Sequence, residues 1–481
     1  MEKEKVTKFL IIIMIISPII LIDFNCFSVD SYFLIKTGNY IIDNGFPHTD
    51  ILSMHNFPIT VQNWLSCVLF FILYKIFGKF GMLIYTIICT EIIMFLIYKI
   101  CYNNCKDKLN SLILTFVSMI LSIQIFESRP QLISMIFILL TILILDKYSK
   151  ENNWKTLLFI PIITILQVNF HASMYAFIFA VIFCYLFNLK FFTTENIINN
   201  TYKKMPIIIT LIISIICLFI NPYGLSNVLY LFKSNSNNLS LISAEMKSAS
   251  IDNSTCFFIW FSIIILIVIF YKTKNKIYLP HLLFLIGSFI VSMLVIKNII
   301  LLTIALPLFL SSYFKDGLDS EKLIERVFGA YKVTFIFILI LLAGYRIKNL
   351  DKYNTNPAWI RSVTYDSTEA LNFVENNIED NSTIYANILN GTYLEFIDMK
   401  SYIDLRTEMF LESQNKEKDY LNEYLLIQFG KIDAEKFMEE YNFDYYLVDE
   451  SDTLYRYLND SEKYTLIFTD SNNYYKIYKA N

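Results

Sequence analysis

Apolar residues along this chain fall in long blocks rather than at the spacing of an amphipathic surface helix. A block of about 20 residues is what a hydrocarbon core of about 30 Å requires of a spanning helix. Candidate blocks lie at 9–24, 61–77, 80–98, 109–126, 131–146, 155–169, 171–188, 205–220, 255–271, 278–296, 297–314 and 331–347. If every block crosses, the loops with Lys106 and Lys108, Lys147 and Lys150, Lys203 and Lys204, and Lys272, Lys274 and Lys276 all oppose the basic N-terminus. The positive-inside rule rejects that arrangement. Moving 61–77, which carries Gln62, Asn63 and Trp64 at its start and Lys75 near its end, to the outer interface repairs every loop at once. About eleven spans remain. The N-terminus is then cytoplasmic, and the outer side receives the loop 25–80, the turn at Arg129 and Pro130, the junction Asn169 to His171, the loop 221–254, the turn at Lys297 and everything after Gly344.

The pattern changes near residue 354. Short β-rich runs at 383–386, 401–405, 443–448, 464–468 and 474–478 alternate with polar helical stretches at 366–377 and 433–440. The expected fold is therefore an α-helical polytopic membrane domain over 1–350, with interfacial helices at 30–44 and 61–77, and an extracytoplasmic soluble α/β domain over 354–481.

Composition agrees: 55% of residues are hydrophobic and 17% charged, which places most of the chain in lipid. Six of the eight cysteines lie in or beside apolar blocks, Cys101 and Cys105 form an isolated C-x3-C, and the tail has none. Neither a disulfide framework nor a four-cysteine zinc site is visible. A nucleic-acid partner is not expected.

Candidate chemistry concentrates in the first outer loop. Phe33, Leu34, Thr37, Tyr40 and Ile41 share a helical face, Ser28 or Asp30 is placed to cap the start, and Gly45 with Pro47 ends it. Between this helix and the next lie His48 and Asp50. Carboxylates at Asp30 and Asp50 suit a general base that takes the proton of an attacking hydroxyl; ordinary caps or solvated acids are the alternative.

This passage resembles the GT-C superfamily of membrane glycosyltransferases, which includes the protein O-mannosyltransferases and aminoarabinose transferases. The matching residues are Asp30, the helix from Tyr32 to Ile42, Asn44-Gly45-Phe46-Pro47-His48-Thr49-Asp50, Gln62-Asn63-Trp64-Leu65 and Phe77-Gly78. The resemblance continues in Ser128-Arg129-Pro130-Gln131, in Val168-Asn169-Phe170-His171-Ala172-Ser173, in Asn221-Pro222-Tyr223-Gly224, in Asn390-Gly391-Thr392-Tyr393-Leu394 and in Tyr402-Ile403-Asp404-Leu405-Arg406-Thr407-Glu408. It departs at Ser31, where a second acid is common, and at Lys297, where an Arg is common.

The resemblance implies a transferase that takes a sugar from a polyprenyl-phosphate carrier to a glycan, lipid or protein acceptor outside the membrane, with membrane lipids around it. Asp30 and Asp50 are the catalytic candidates. Arg129 and Lys297 suit the donor phosphate, or lipid headgroups. His48, Gln62, Trp64, Asn169 and His171 suit substrate positioning. No cofactor is assigned; a divalent metal on His48, Asp50, His55 and His171 stays open, although their spacing matches no ligand signature. Asn390-Gly391 looks like a turn, and Asp404 with Arg406 like an ion pair inside the tail. A transporter or flippase, for which the mid-span Glu91 is the relevant acid, and a non-catalytic envelope scaffold are the competing classes.

Overall fold

The computed structural model describes residues 2–22, 27–122, 126–187, 189–191, 198–199, 202–233, 246–248, 277–312, 344 and 366–481. The blocks 255–271 and 331–347, the basic stretch 315–332, most of the loop 221–254 and the expected domain junction at 350–354 lie outside them. The chain divides into two compact units, one comprising 1–26, 83–224 and 240–348, the other 27–82, 225–239 and 349–481. The segment 27–82 thus belongs with the C-terminal domain rather than with the helices that precede and follow it in sequence.

The described part of the first unit is helical apart from three short antiparallel strands, β1 (Leu189–Phe191), β2 (Ile198–Asn199) and β3 (Ile277–Tyr278). Among its elements are α1 (Glu2–Leu21), α4 (Lys79–Cys105), which begins within the other unit, α5 (Lys108–Ser122), α6 (Gln131–Glu151), α7 (Phe159–Phe170), α8 (Tyr175–Cys184), α9 (Lys204–Cys217), α11 (Leu279–Leu294) and α12 (Ile299–Ser311). They occupy the apolar blocks read from sequence. Among the described residues, α4 and α6 are long and apolar enough to cross a bilayer, and the others are shorter apolar helices. Ile88, Ile92 and Phe95 on α4 and Ile209, Ile212 and Ile216 on α9 form exposed stripes at helical spacing. Stripes of this kind are solvated by hydrocarbon more readily than by water.

Polar ties hold these helices where apolar contact alone has no preferred register. Asp146 near the end of α6 is buried; its Oδ1 accepts from Tyr185 Oη at 2.7 Å and lies 3.2 Å from His281 Nε2 on α11. The ring of Tyr278 meets His281 edge-on at 4.8 Å, and its hydroxyl bonds Ser149 at 2.9 Å. Ser118 of α5 donates to the Thr303 carbonyl of α12 at 2.9 Å.

In the second unit, α2 (Asp30–Asn44) packs on α3 (Trp64–Phe77), and α10 (Leu225–Lys233) contributes a short helix. The C-terminal domain supplies α13 (Thr368–Asn377), α14 (Ile388–Phe396), α15 (Tyr420–Gln428), α16 (Ala434–Tyr441) and α17 (Thr453–Asp460). Its five strands are β4 (Thr383–Tyr385), β5 (Lys400–Ser401), β6 (Tyr445–Asp449), β7 (Tyr464–Thr469) and β8 (Tyr475–Ala480), in the order β5-β4-β6-β8-β7. The β5-β4-β6 side is parallel and β8 and β7 are antiparallel. Tyr446, Leu447 and Val448 are all buried, as a central strand covered on both faces requires. Ala370, Leu371, Val374, Ile384, Leu394, Leu447 and Ile477 form the core beneath α13 and α14.

Two expectations of the sequence are corrected here. Asn390-Gly391 is no turn: it lies inside α14, whose N-cap is Asn387, with Oδ1 accepting from Asn390 N at 2.9 Å. Glycine is required there because a Cβ at position 391 would stand 2.1 Å from the Ile403 carbonyl oxygen. The second loop helix begins at Trp64 rather than residue 61.

Candidate functional site

Asp30 is the first residue of α2 and is partly buried. The N-cap position is Val29, which has no polar side chain, rather than Ser28 or Asp30. Backbone bonds from Ser31 N to Ser28 O (2.8 Å) and Tyr32 N to Val29 O (3.2 Å) close the turn. An acid at this point is favoured by the positive end of the helix dipole. Two residues on, the buried ring of Tyr32 lies between Phe27, Tyr393 and Phe396, with centroids 5.0, 5.4 and 4.7 Å away. Tyr393 and Phe396 belong to α14, so the C-terminal domain sets the position of the turn that carries Asp30.

The rest of α2 is fixed as tightly. Ser31, Tyr32, Leu34, Ile35, Thr37, Gly38 and Ile41 are buried; Leu34, Thr37 and Ile41 belong to the expected face, while Phe33 and Tyr40 are only partly buried. A Cβ on Gly38 would stand 2.1 Å from the Cys67 carbonyl oxygen, so only glycine lets α2 and α3 approach this closely. Lys36 Nζ reaches the Phe396 carbonyl at 3.3 Å and Asp398 at 2.5 Å. At its far end the ring of Phe46 meets Trp64 edge-on at 5.0 Å. Gln62 is partly buried just before α3, and His48 is exposed with its carbonyl bound by Ile59 N at 3.0 Å.

Asp50 corrects the expectation of a loop acid open to substrate. The segment 48–59 folds back on itself, with Asp50 N donating to Phe57 O at 2.8 Å, and its tip enters the C-terminal domain. Met54 N donates to Ser401 O at 2.9 Å, Lys400 Nζ to Ile51 O at 2.6 Å, and His55 Nε2 lies 2.9 Å from Tyr402 O. There Arg406 grips Asp50 with both terminal nitrogens, Nη1 to Oδ1 at 2.6 Å and Nη2 to Oδ2 at 3.2 Å. Arg406 Nε also reaches both oxygens of Asp404, at 3.1 and 3.0 Å, and Nη2 lies 3.5 Å from Glu395 Oε2. Ser53 and Leu52 N complete the shell of Asp50. The pair foreseen inside the tail is therefore a four-member cluster that reaches into the segment 48–59.

Charge within the cluster follows from burial. Desolvation alone would raise the Asp50 carboxyl, but the Arg406 charge and its hydrogen bonds outweigh it and hold Asp50 below its ordinary value. At Glu395 the same Arg406 charge is outweighed: burial, then the Asp404 carboxylate beside it, push it well above the usual range. It is therefore held as the neutral acid. His55, sealed by burial among Phe57, Tyr402, Phe410, Tyr420 and Tyr441, is pushed down to about 4 and stays neutral, with Nε2 as the donor to Tyr402 O. The open metal set thereby loses two members, Asp50 to Arg406 and the His55 Nε2 to a carbonyl.

The remaining candidates lie in the first unit, where one end of the helices brings several together. Arg129 precedes α6, with Nε 3.1 Å from Glu127 and its carbonyl bonded by Tyr85 Oη at 2.9 Å. Ser134, one turn into α6, bonds Gln167 Nε2 at 3.0 Å and His171 Nδ1 at 3.3 Å. Lys297, in the short 3-10 turn Ile296–Asn298 between α11 and α12, is within electrostatic reach of His171. Asn169 acts as a backbone tie, donating to Ile165 O at 2.7 Å and Ile220 O at 2.9 Å. Glu91 lies within α4.

Sequence reasoning missed the reach of Arg406 to Asp50 and the Asp146–His281 pair. Neither carried a local signal: the partners are far apart in the chain.

No protein-family model and no curated protein matches the chain. Its fold, however, is shared with solved structures of the oligosaccharyltransferase AglB from Archaeoglobus fulgidus, an enzyme of the GT-C superfamily. The structure tethered to an acceptor peptide containing the NVT sequon superposes with TM-score 0.56 at 12% identity, covering 99% of this chain and 74% of that one. The complex with an inhibitory peptide and a dolichol-phosphate gives TM-score 0.55 at 12% identity, covering 100% and 74%. At this identity the likeness establishes the fold, and the fold is the one the loop motifs resemble.

Proposed function

We propose that this chain is a multi-pass membrane glycosyltransferase of GT-C type, which moves a sugar from a polyprenyl-phosphate carrier to an acceptor on the outer face of the membrane. The observation that supports it most is the shared fold over the whole chain. One neighbour with that fold binds a dolichol-phosphate and a peptide, and another is tethered to an acceptor peptide. About eleven crossings, with a cytoplasmic N-terminus and an outer tail, are the topology that satisfies the basic loops.

In this reading Asp30 is the general base. It stands at a helix start held by the ring of Tyr32 against Phe396 of α14, and the helix is held along its length by the close approach of Gly38 to Cys67 of α3, the rigid support that orientation-dependent chemistry needs. Its carboxylate takes the acceptor hydroxyl proton as that oxygen attacks the anomeric carbon through an oxocarbenium-like state. The bond to the carrier phosphate breaks on the opposite face, so a single displacement inverts the anomeric configuration. Arg129 or Lys297 steadies the departing phosphate. Asp50 serves as the anchor of the outer loop to the tail rather than as a second base.

The test is to supply purified chain in lipid nanodiscs with polyprenyl-phosphate sugars labelled in the sugar. Appearance of label in an acceptor, with the inverted anomer, supports the reading. Failure of wild type to use any donor in the panel would refute it and favour a transporter or scaffold.

A further inference from the structure

We propose that the cleft between the C-terminal half of α2 and the edge of the sheet at β5 is a binding site for one neutral pyranose. Calling that pyranose part of the acceptor rests on the transferase reading; the binding itself does not. The cleft lies wholly within the second unit and has a volume of about 220 Å³. Pockets for drug-sized ligands run to about 300–1,000 Å³, so this one suits a single small ring.

Its walls are polar and rigid. Asn39, Tyr40 and Asp43 project from α2, a helix already locked by Gly38 and by Lys36. Facing them are Asn381 and Asp398. Asn381 sits in the left-handed region with φ 63°, and its N–H donates to the Asp398 carbonyl at 2.7 Å, so the two segments that carry these residues are tied together. A site that is already ordered loses little entropy on binding.

The chemistry selects against other ligands. Both lysines in the cleft have partners, Lys36 in Asp398 and the Phe396 carbonyl, Lys400 in the Ile51 carbonyl. Asp43 and Asp398 balance Lys36 and Lys400 in charge and Glu395 adds a further acid, so the cleft carries no net positive charge to draw in an anion. Among the described residues no His, Cys, Asp or Glu group is placed to hold a metal. What remains favourable is a neutral molecule rich in hydroxyls. Carboxylates accept from its hydroxyls, the Asn39 and Asn381 amides both donate and accept, and the Tyr40 ring offers an apolar face to ring C–H bonds.

Full-length chain in nanodiscs is titrated, without donor, with the methyl glycosides of glucose, galactose and N-acetylglucosamine, and with inorganic phosphate as the anionic comparison. Saturation-transfer NMR reads contact with the ring protons. The expected result is transfer to at least one glycoside, weakened tenfold or more in Asn39→Ala/Asp43→Ala and in the more exposed Asn381→Ala, with phosphate unable to displace it. No transfer to any glycoside, binding unchanged in a folded variant, or displacement by phosphate overturns the proposal. Because no donor is present, binding is read apart from catalysis: glycoside binding by a chain that fails the separate donor assay would leave this site standing and refute the transferase reading. Transfer without binding would do the reverse.

Discussion

Arg406 and Asp50, 356 residues apart in the chain, meet in a buried two-pronged ion pair. Neither side chain is more than 4% exposed, so each carries a desolvation penalty that the other helps to offset, alongside Asp404 on Arg406 and Ser53 and Leu52 N on Asp50. Breaking such a pair from one side costs about 3–5 kcal/mol. Asp50→Asn should therefore lower the unfolding midpoint and open the segment 48–59 to protease, as limited proteolysis with a thermal melt would show. A folded, protease-resistant Asp50→Asn chain that had lost only transfer would instead make Asp50 a catalytic acid.

Glu395 makes the same cluster sensitive to alkali. Its folded-state pKa lies well above the unfolded 4.5, because of burial and then Asp404. Its contribution is fully present below pH 4.5 and is lost as pH rises through the folded-state value, about 1.4 kcal/mol per unit of separation. Glu395→Gln still accepts from Ser401, whose Oγ is 2.5 Å from Oε1. That variant should melt at the same temperature as wild type in acid and higher than wild type in alkali. A parallel pH profile for both chains would count against a buried neutral acid.

His55 acts at the other limb. Burial lowers it from 6.5 to about 4, so its contribution is present above pH 6.5 and is lost as pH falls towards 4. His55→Gln keeps a donor for Tyr402 O but has no proton to gain. Stability measured by denaturant titration should fall less between pH 6.5 and 4 in this variant than in wild type.

Gly38→Ala tests the support of Asp30 rather than its chemistry. The added methyl meets the Cys67 carbonyl, and separating α2 from α3 costs about 1–3 kcal/mol. Transfer should fall with the shift of α2, while Gly45→Ala, where nothing lies within 4 Å and the cost is that of φ 84° alone, should disturb the α2–α3 contact less. Equal effects of the two on transfer would argue against the close approach as the source.

Much of this arrangement was legible along the chain. The stop of α2 at Gly45 and Pro47 follows from local backbone chemistry, and so do the strands around Tyr445 and Tyr475, because turn residues and alternating apolar positions act over a few neighbours. Composition misled at Asn390-Gly391, where glycine serves a close approach to Ile403 that no local pattern announces. Asp50 looked like an open acid for the same reason: its fate depends on Arg406, and an ion pair across most of the chain leaves no periodic trace. Asp146 was hidden beside Lys147 at the end of an apolar block, where an acid normally reaches water.

The central claim is that Asp30 is the base of a lipid-linked sugar transferase. The most direct measurement compares transfer rates of wild type and Asp30→Asn, in nanodiscs with labelled polyprenyl-phosphate sugar, after matching melting temperatures show both chains folded. Removal of a general base is expected to lower the rate by about 10²- to 10⁴-fold. A folded Asp30→Asn chain that transfers sugar at the wild-type rate would contradict the account.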